Sequence, residues 1–208
     1  MNQFNSAWNF YFNNWQYFAV LAAPVFAVEI ATAYLLLPLE NISPENIAEY
    51  FGDNIFSIGI LSAVGTVLSV GFLGSLYLSF NAKSSSSELE PVTALLSGVY
   101  KFFPLFGAYV LCIIAVFFGL LLLILPGIYL GARLALFPAF IMLEGKGVID
   151  SLKLSWEETD EHGGTLFGLT IFFILLTTII SGIFSSLLDQ GIIQLLILGI
   201  VEYVIIIP

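Results

Sequence analysis

Charge is what this chain has least of. Its 208 residues include five Lys+Arg, fifteen Asp+Glu and one histidine, so 10% are charged, against roughly 25% in an average soluble domain. Five basic residues cannot neutralise a row of phosphates, which excludes nucleic acid as a main partner. The single cysteine, Cys112, excludes an internal disulfide and a thiolate metal site. The lone histidine, His162, follows the acidic run "EETDE". No nucleophile–histidine arrangement falls within an apolar segment and no glycine-rich phosphate loop is present, so the expectation is a protein that is not an enzyme and has no cofactor. Glu158 and His162 are spaced i,i+4, but Gly163-Gly164 is expected to end any helix carrying them, and no metal site is assigned. The net charge of −10 comes from carboxylates spread over loops, where they stay hydrated.

What the chain has instead is apolar length. It is 59% hydrophobic with a mean hydropathy of +1.02. Runs of about 20 residues, long enough to cross ~30 Å of hydrocarbon, recur throughout. We read six spans: Tyr17–Leu39, Ile55–Phe80, Phe102–Leu125, Gly127–Leu143, Leu166–Leu188 and Ile192–Ile207. The third and fourth are divided only by Pro126-Gly127, which reads as a tight hairpin turn. The expected fold is an all-α polytopic membrane bundle in one integral domain, residues 1–208. Residues 1–16 hold no basic residue, which argues against a cleaved signal peptide.

The lysines sort by side. Lys83 and Lys101 flank the loop after span two, and Lys146 and Lys153 lie between spans four and five, while the other connections carry no Lys or Arg. Loops rich in Lys and Arg stay in the cytoplasm, so the expected location is a bacterial inner membrane with both termini cytoplasmic. Three segments on that side repeat apolar residues at helical spacing: Phe4, Trp8, Phe12 and Trp15; Val92, Leu96, Val99 and Phe103; and Val148, Leu152 and Trp156. They read as interfacial helices anchored by Trp8, Trp15 and Trp156, with membrane lipids as partner; a protein partner or self-association is left open. Each precedes a pair of spans, which suggests pseudo-repeats 1–87, 88–147 and 148–208. Glu45–Gly52 reads as a short surface helix. Small-residue seams (Ala19, Ala23, Ala27 and Ala31; Gly59, Ser62, Thr66 and Ser69; Thr178, Ser181 and Ser185) suit close helix packing.

Three ionisable residues fall inside the spans: Glu29, Arg133 and Glu202. A charge at that depth costs roughly 2.5–3.5 kcal/mol and needs a partner, water or headgroups. Glu29 lies about 18 Å from the cytoplasmic side and Arg133 about 9 Å from the outer side, so in a ~30 Å core their depths differ by only ~3 Å. The expectation is an intramembrane pair of Arg133 with Glu29, Glu202 being an alternative partner. Such a pair either pins two spans in register or lines a polar path for a small solute or ion.

The stretch "LPGIYLGARLALFPAFIMLEGKGVIDSLKLSWEET", residues 125–159, with its Pro126-Gly127 pair, the Arg133 and Pro138 span and Asp150-Ser151-Leu152 before Ser155-Trp156, resembles the YciC-like family of uncharacterised bacterial inner-membrane proteins. It is similar, more distantly, to the membrane domain preceding some glycerophosphodiester phosphodiesterases. "SPENIAEYF", residues 43–51, fits too. The resemblance implies a six-span inner-membrane protein and little about activity; the phosphodiesterase link hints at lipid-headgroup handling, and no catalytic residue is carried over. The expected role is that of a lipid-associated or accessory membrane component. Relatives tend to end in a basic tail, whereas this chain stops at "VIIIP".

Overall fold

The computed structural model describes residues 2–85, 87–188 and 191–206, and every regular element among them is helical. Five helical stretches among the described residues are long and apolar enough to cross a bilayer: Trp15–Leu39, Pro44–Ser84, Phe102–Leu122, Ile124–Leu143 and Gly163–Leu187. The final helix, α10 (Ile192–Ile206), has 15 residues. The chain forms two compact units: Met1–Ser69 with Ile179–Pro208, and Val70–Thr178. Their boundaries fall inside helices.

In the first unit, α1 (Asn2–Asn13) leads into α2 (Trp15–Leu36), which buries Phe18, Leu21, Ala22 and Val25. A different face therefore packs than the expected alanine ridge, since Ala19, Ala23 and Ala27 are exposed. After two short 3-10 turns, α3 (Ile47–Ser84) runs unbroken for 38 residues. Glu45–Gly52 is thus no separate surface helix: Pro44–Asn46 is a 3-10 turn, and Ile47 begins the long helix. Tyr50 donates its hydroxyl to the Leu35 carbonyl, tying the start of α3 to the end of α2. The Thr66 and Thr178 hydroxyls bond to Ser62 and Ile174 of their own helices.

In the second unit, α4 (Pro91–Tyr100) crosses α3 where Gly98 meets Gly71. A Cβ on Gly98 would lie 1.9 Å from the Gly71 carbonyl oxygen, so only glycine allows the crossing. Of the expected stripe, Val92, Leu96 and Phe103 point outward and Val99 packs against Gly71, while Ala94, Leu95 and Gly98 are buried. Without water to drive association, small residues face protein and large apolar ones face out.

α5 (Phe102–Leu122) pairs antiparallel with α6 (Ile124–Leu134) and α7 (Phe137–Leu143) along its whole length. A Cβ on Gly119 would lie 2.8 Å from Gly127 Cα, one on Gly131 would lie 3.5 Å from Val116, and the Tyr109 and Phe137 rings are 4.7 Å apart. At the open end, Lys101 Nζ donates to the Ile141 carbonyl at 2.8 Å. The chain reverses at Leu123, in extended conformation, rather than at Pro126-Gly127. Pro126 sits in the first turn of α6, where a missing N–H costs nothing, and Gly127 is buried against α5. A second interruption, at Ala135-Leu136, separates α6 from α7.

α8 (Val148–Glu158) folds back along α7 and the end of α6. The core of this unit is Leu105, Ala108, Phe137, Ile141 and Met142, flanked by Val148 and Leu152 of α8. α9 (Gly163–Leu187) follows after a short turn. Gly163-Gly164 therefore opens a helix, whereas the sequence suggested that it closes one.

Candidate functional site

Arg133, on α6, is 2% exposed and is the largest fully buried side chain of the described residues. Each of the three guanidinium nitrogens donates, through four hydrogen bonds in all. Nε donates to the Thr159 hydroxyl at 2.9 Å, Nη1 to the Tyr129 hydroxyl at 2.7 Å, and Nη2 to the Asp160 carboxylate at 2.9 Å and to the Trp156 carbonyl. The guanidinium carbon lies 4.1 Å from the centroid of the Trp156 ring and 5.6 Å from that of Tyr129, two rings set at 90° to one another. Planarity and a fixed fork of donors suit arginine to such a cage, and lysine has no equivalent.

The cage exists because α6 breaks. Past Leu134 the helical ladder is interrupted, and Ser155 bridges the gap: it accepts from the Leu136 N–H at 3.1 Å and donates to the Arg133 carbonyl at 2.9 Å. The Thr159 hydroxyl also lies 3.0 Å from that carbonyl and 2.6 Å from the Ser155 carbonyl. No buried side-chain N or O lacks a partner among the described residues. Gly163 closes the cage: a Cβ there would lie 2.9 Å from Tyr129 Oη and 3.0 Å from Arg133 Cδ.

Arg133 thus takes Asp160, in its own unit, as an ion-pair partner. The physical reason is the return of α8, which places residues only 23 to 27 positions away against the guanidinium. Asp160 is 78% exposed while Arg133 is buried, so the pair has one foot in solvent. Glu29, in the other unit, accepts from the Tyr203 hydroxyl at 2.9 Å. Glu202 lies on α10 and its side chain is outside the described ones.

Of the expected anchors, Trp156 roofs the cage and is 38% exposed. Trp15, 55% exposed, borders a groove of about 320 Å³ lined by Tyr11, Phe18, Ala22, Phe26 and Tyr203. Trp8 stacks on Phe12 at 5.7 Å. His162 is exposed in the turn before α9. No group of three metal-ligating side chains occurs among the described residues.

Thr159 and Asp160 were not singled out by sequence, Ser155 entered only through the family resemblance, and Gly163 only as a helix end. A signal existed: Trp156, Thr159, Asp160 and Gly163 are spaced i, i+3, i+4, i+7, one face of a helical path, hidden within a run that reads as a hydrated acidic loop.

The family described as Domain of unknown function (DUF7847) matches residues 46–204, which includes every residue of the cage. A UPF0259 membrane protein of Photorhabdus laumondii subsp. laumondii is 35% identical over 96 residues, 46% of this chain and 36% of that protein, so the chain spans little more than a third of the relative's length. No solved structure matches the chain. A multi-pass helical membrane protein and an uncharacterised family agree with the composition, the helices and both similarities. With the match extending over most of its length, the chain belongs to the DUF7847 family.

Proposed function

We propose that the protein is a lipid-associated accessory component of a bacterial inner membrane, without catalytic activity and with both termini in the cytoplasm. The observation that carries the reading is the enclosure of Arg133 by its own unit. Four of its five N–H donors are used within one unit, at least one from each nitrogen, and a residue so occupied holds architecture rather than cargo. Lys101 and Lys146 support the orientation, because Lys101 reaches the Ile141 carbonyl beside the 144–147 loop, at the end of the hairpin away from its apolar tip. The YciC-like resemblance fits the same role, and kinship with the membrane domain of phosphodiesterases would extend it to phospholipid headgroups.

The competing reading is a small-solute or ion pathway through Glu29, Arg133 and Glu202. It keeps one observation: the Tyr203 hydroxyl that meets Glu29 belongs to a residue lining the 320 Å³ groove. The test is native mass spectrometry of protein extracted in lipid-retaining nanodiscs, with flux measurements in proteoliposomes. Retained phospholipid and no flux above empty liposomes is the expected result. A lipid-free protein, or a flux lowered by Glu29→Gln, overturns the proposal.

A further inference from the structure

The hairpin of α5 and α6 is long and apolar enough for two crossings, yet the cage fixes where its middle lies. Arg133 Nη2 holds Asp160, and the turn from Glu157 to His162 leaves Glu157, Glu158, Asp160, Glu161 and His162 exposed. Carboxylates exposed around one turn belong in water or among headgroups, since each is disfavoured in hydrocarbon. The level of Arg133 on the hairpin is therefore a level of the membrane surface.

From Arg133 to the reversal at Leu123 is ten residues, about 15 Å of helix, which is half of a ~30 Å hydrocarbon core. Over that half the hairpin presents only apolar groups. Leu121, Leu122, Leu123 and Ile124 are each between 65 and 78% exposed, and between Ile113 and Gly131 the sole polar side chain is that of Tyr129. A loop emerging on the far side would put this leucine cluster into water. α9 makes the comparison: it starts in this unit at Gly163 beside Arg133, sets Phe167 against Tyr129 at 6.0 Å and runs toward the tip, continuing past Thr178 into the other unit. Its 25 residues extend about 37 Å, enough to cross where the hairpin is not.

We infer that the α5–α6 hairpin is a lipid-insertion surface that enters the bilayer from the side of the acidic turn and reverses among the acyl-chain ends of a single leaflet. The half of the hairpin nearer Lys101, with α7 and α8 packed on it, lies at or outside the headgroup layer. Replacing two crossings by none leaves the lysine sorting intact, because Lys83, Lys101, Lys146 and Lys153 stay on one side in either case.

The test uses the full chain in right-side-out and inverted membrane vesicles, in a Cys112→Ala background whose folding is checked by gel filtration. Leu123→Cys and Ile124→Cys, both at exposed positions, are compared with Glu161→Cys by treatment with a membrane-impermeant maleimide. The expected result is labelling of Glu161→Cys from one face only and loss of labelling of both tip variants from either face. Bimane attached at the tip after detergent extraction should then be quenched, on reconstitution, most strongly by phosphatidylcholine with a nitroxide at the acyl-chain end. Labelling of the tip from the face opposite Glu161 would show a full crossing and overturn the inference. Tip labelling from the same face as Glu161, or no aqueous access to Glu161 at all, overturns it equally.

Discussion

Arg133 offers a sharp test, because its contacts differ in worth by their burial. The pair with Asp160 is half solvated, and exposed ion pairs contribute about 0–1 kcal/mol. The bonds to Thr159 Oγ1 and the Trp156 carbonyl are buried or partly so, and hydrogen bonds to a charged group contribute about 1.5–3 kcal/mol each. A desolvated cation over Trp156 adds about 2 kcal/mol, although these terms overlap rather than sum. Arg133→Ala should therefore cost about 3–5 kcal/mol, as removing one partner of a buried charged network does. Arg133→Lys keeps the charge but cannot direct bonds to Thr159, Tyr129 and Trp156 together, and should cost about 2–3 kcal/mol. Asp160→Asn should cost less than about 1 kcal/mol. The assay is thermal unfolding in detergent read by a fluorogenic maleimide at Cys112, which packs against the core of the same unit. At about 2–4 °C per kcal/mol, Arg133→Ala lowers the midpoint by roughly 6–20 °C and Asp160→Asn by less than about 4 °C. Equal losses for these two variants, or a neutral Arg133→Lys, would refute the reasoning.

Three further outcomes follow from contacts elsewhere in this unit. Gly98→Ala must push α3 and α4 apart against a backbone oxygen 1.9 Å away, so it should cost about 3 kcal/mol or more by the same thermal assay; Gly164→Ala, with nothing within 4 Å, should cost nothing. Ser155→Ala deprives the Leu136 N–H of its acceptor, a loss of about 1–3 kcal/mol, and hydrogen exchange should rise at Leu136 more than at residues of α5. Gly163→Ala presses on Tyr129 Oη and should cost about 1–3 kcal/mol, less than additively with Tyr129→Phe, since removing that oxygen relieves the clash.

The amphipathic segments were legible because each carries an apolar period within a short polar setting; α1, α4 and α8 begin and end close to where that period does. Which way α4 faces was not legible. Periodicity marks Val92, Leu96, Val99 and Phe103 as one side, but Val92, Leu96 and Phe103 face out, whereas Val99 packs on Gly71 and Ala94, Leu95 and Gly98 are buried. The turn at Leu123 was hidden because Pro126 and Gly127 are turn formers that here serve a helix start and a close approach. The pairing of Arg133 with Glu29 came from depth arithmetic, which assumed that span four crosses the whole bilayer. Asp160, the partner within its own unit, lies in the turn after a returning helix too short and too polar to have entered that calculation.

Burial of Arg133 is therefore burial by protein, and this bears on where the membrane lies. Were the hairpin to cross completely, the turn bearing Glu157, Glu158, Asp160 and Glu161 would sit near mid-depth. Four carboxylates there would cost on the order of 10 kcal/mol, as much as a whole domain's stability of about 5–15 kcal/mol. Arg133 answers only one of them, through a pair that is itself largely exposed. Setting the acidic turn at the surface removes that cost and leaves in hydrocarbon the part of the hairpin that has no charge to hydrate. The same arginine that first suggests a deep polar site then marks the boundary at which water ends, holding α6, α8 and the start of α9 together on that plane.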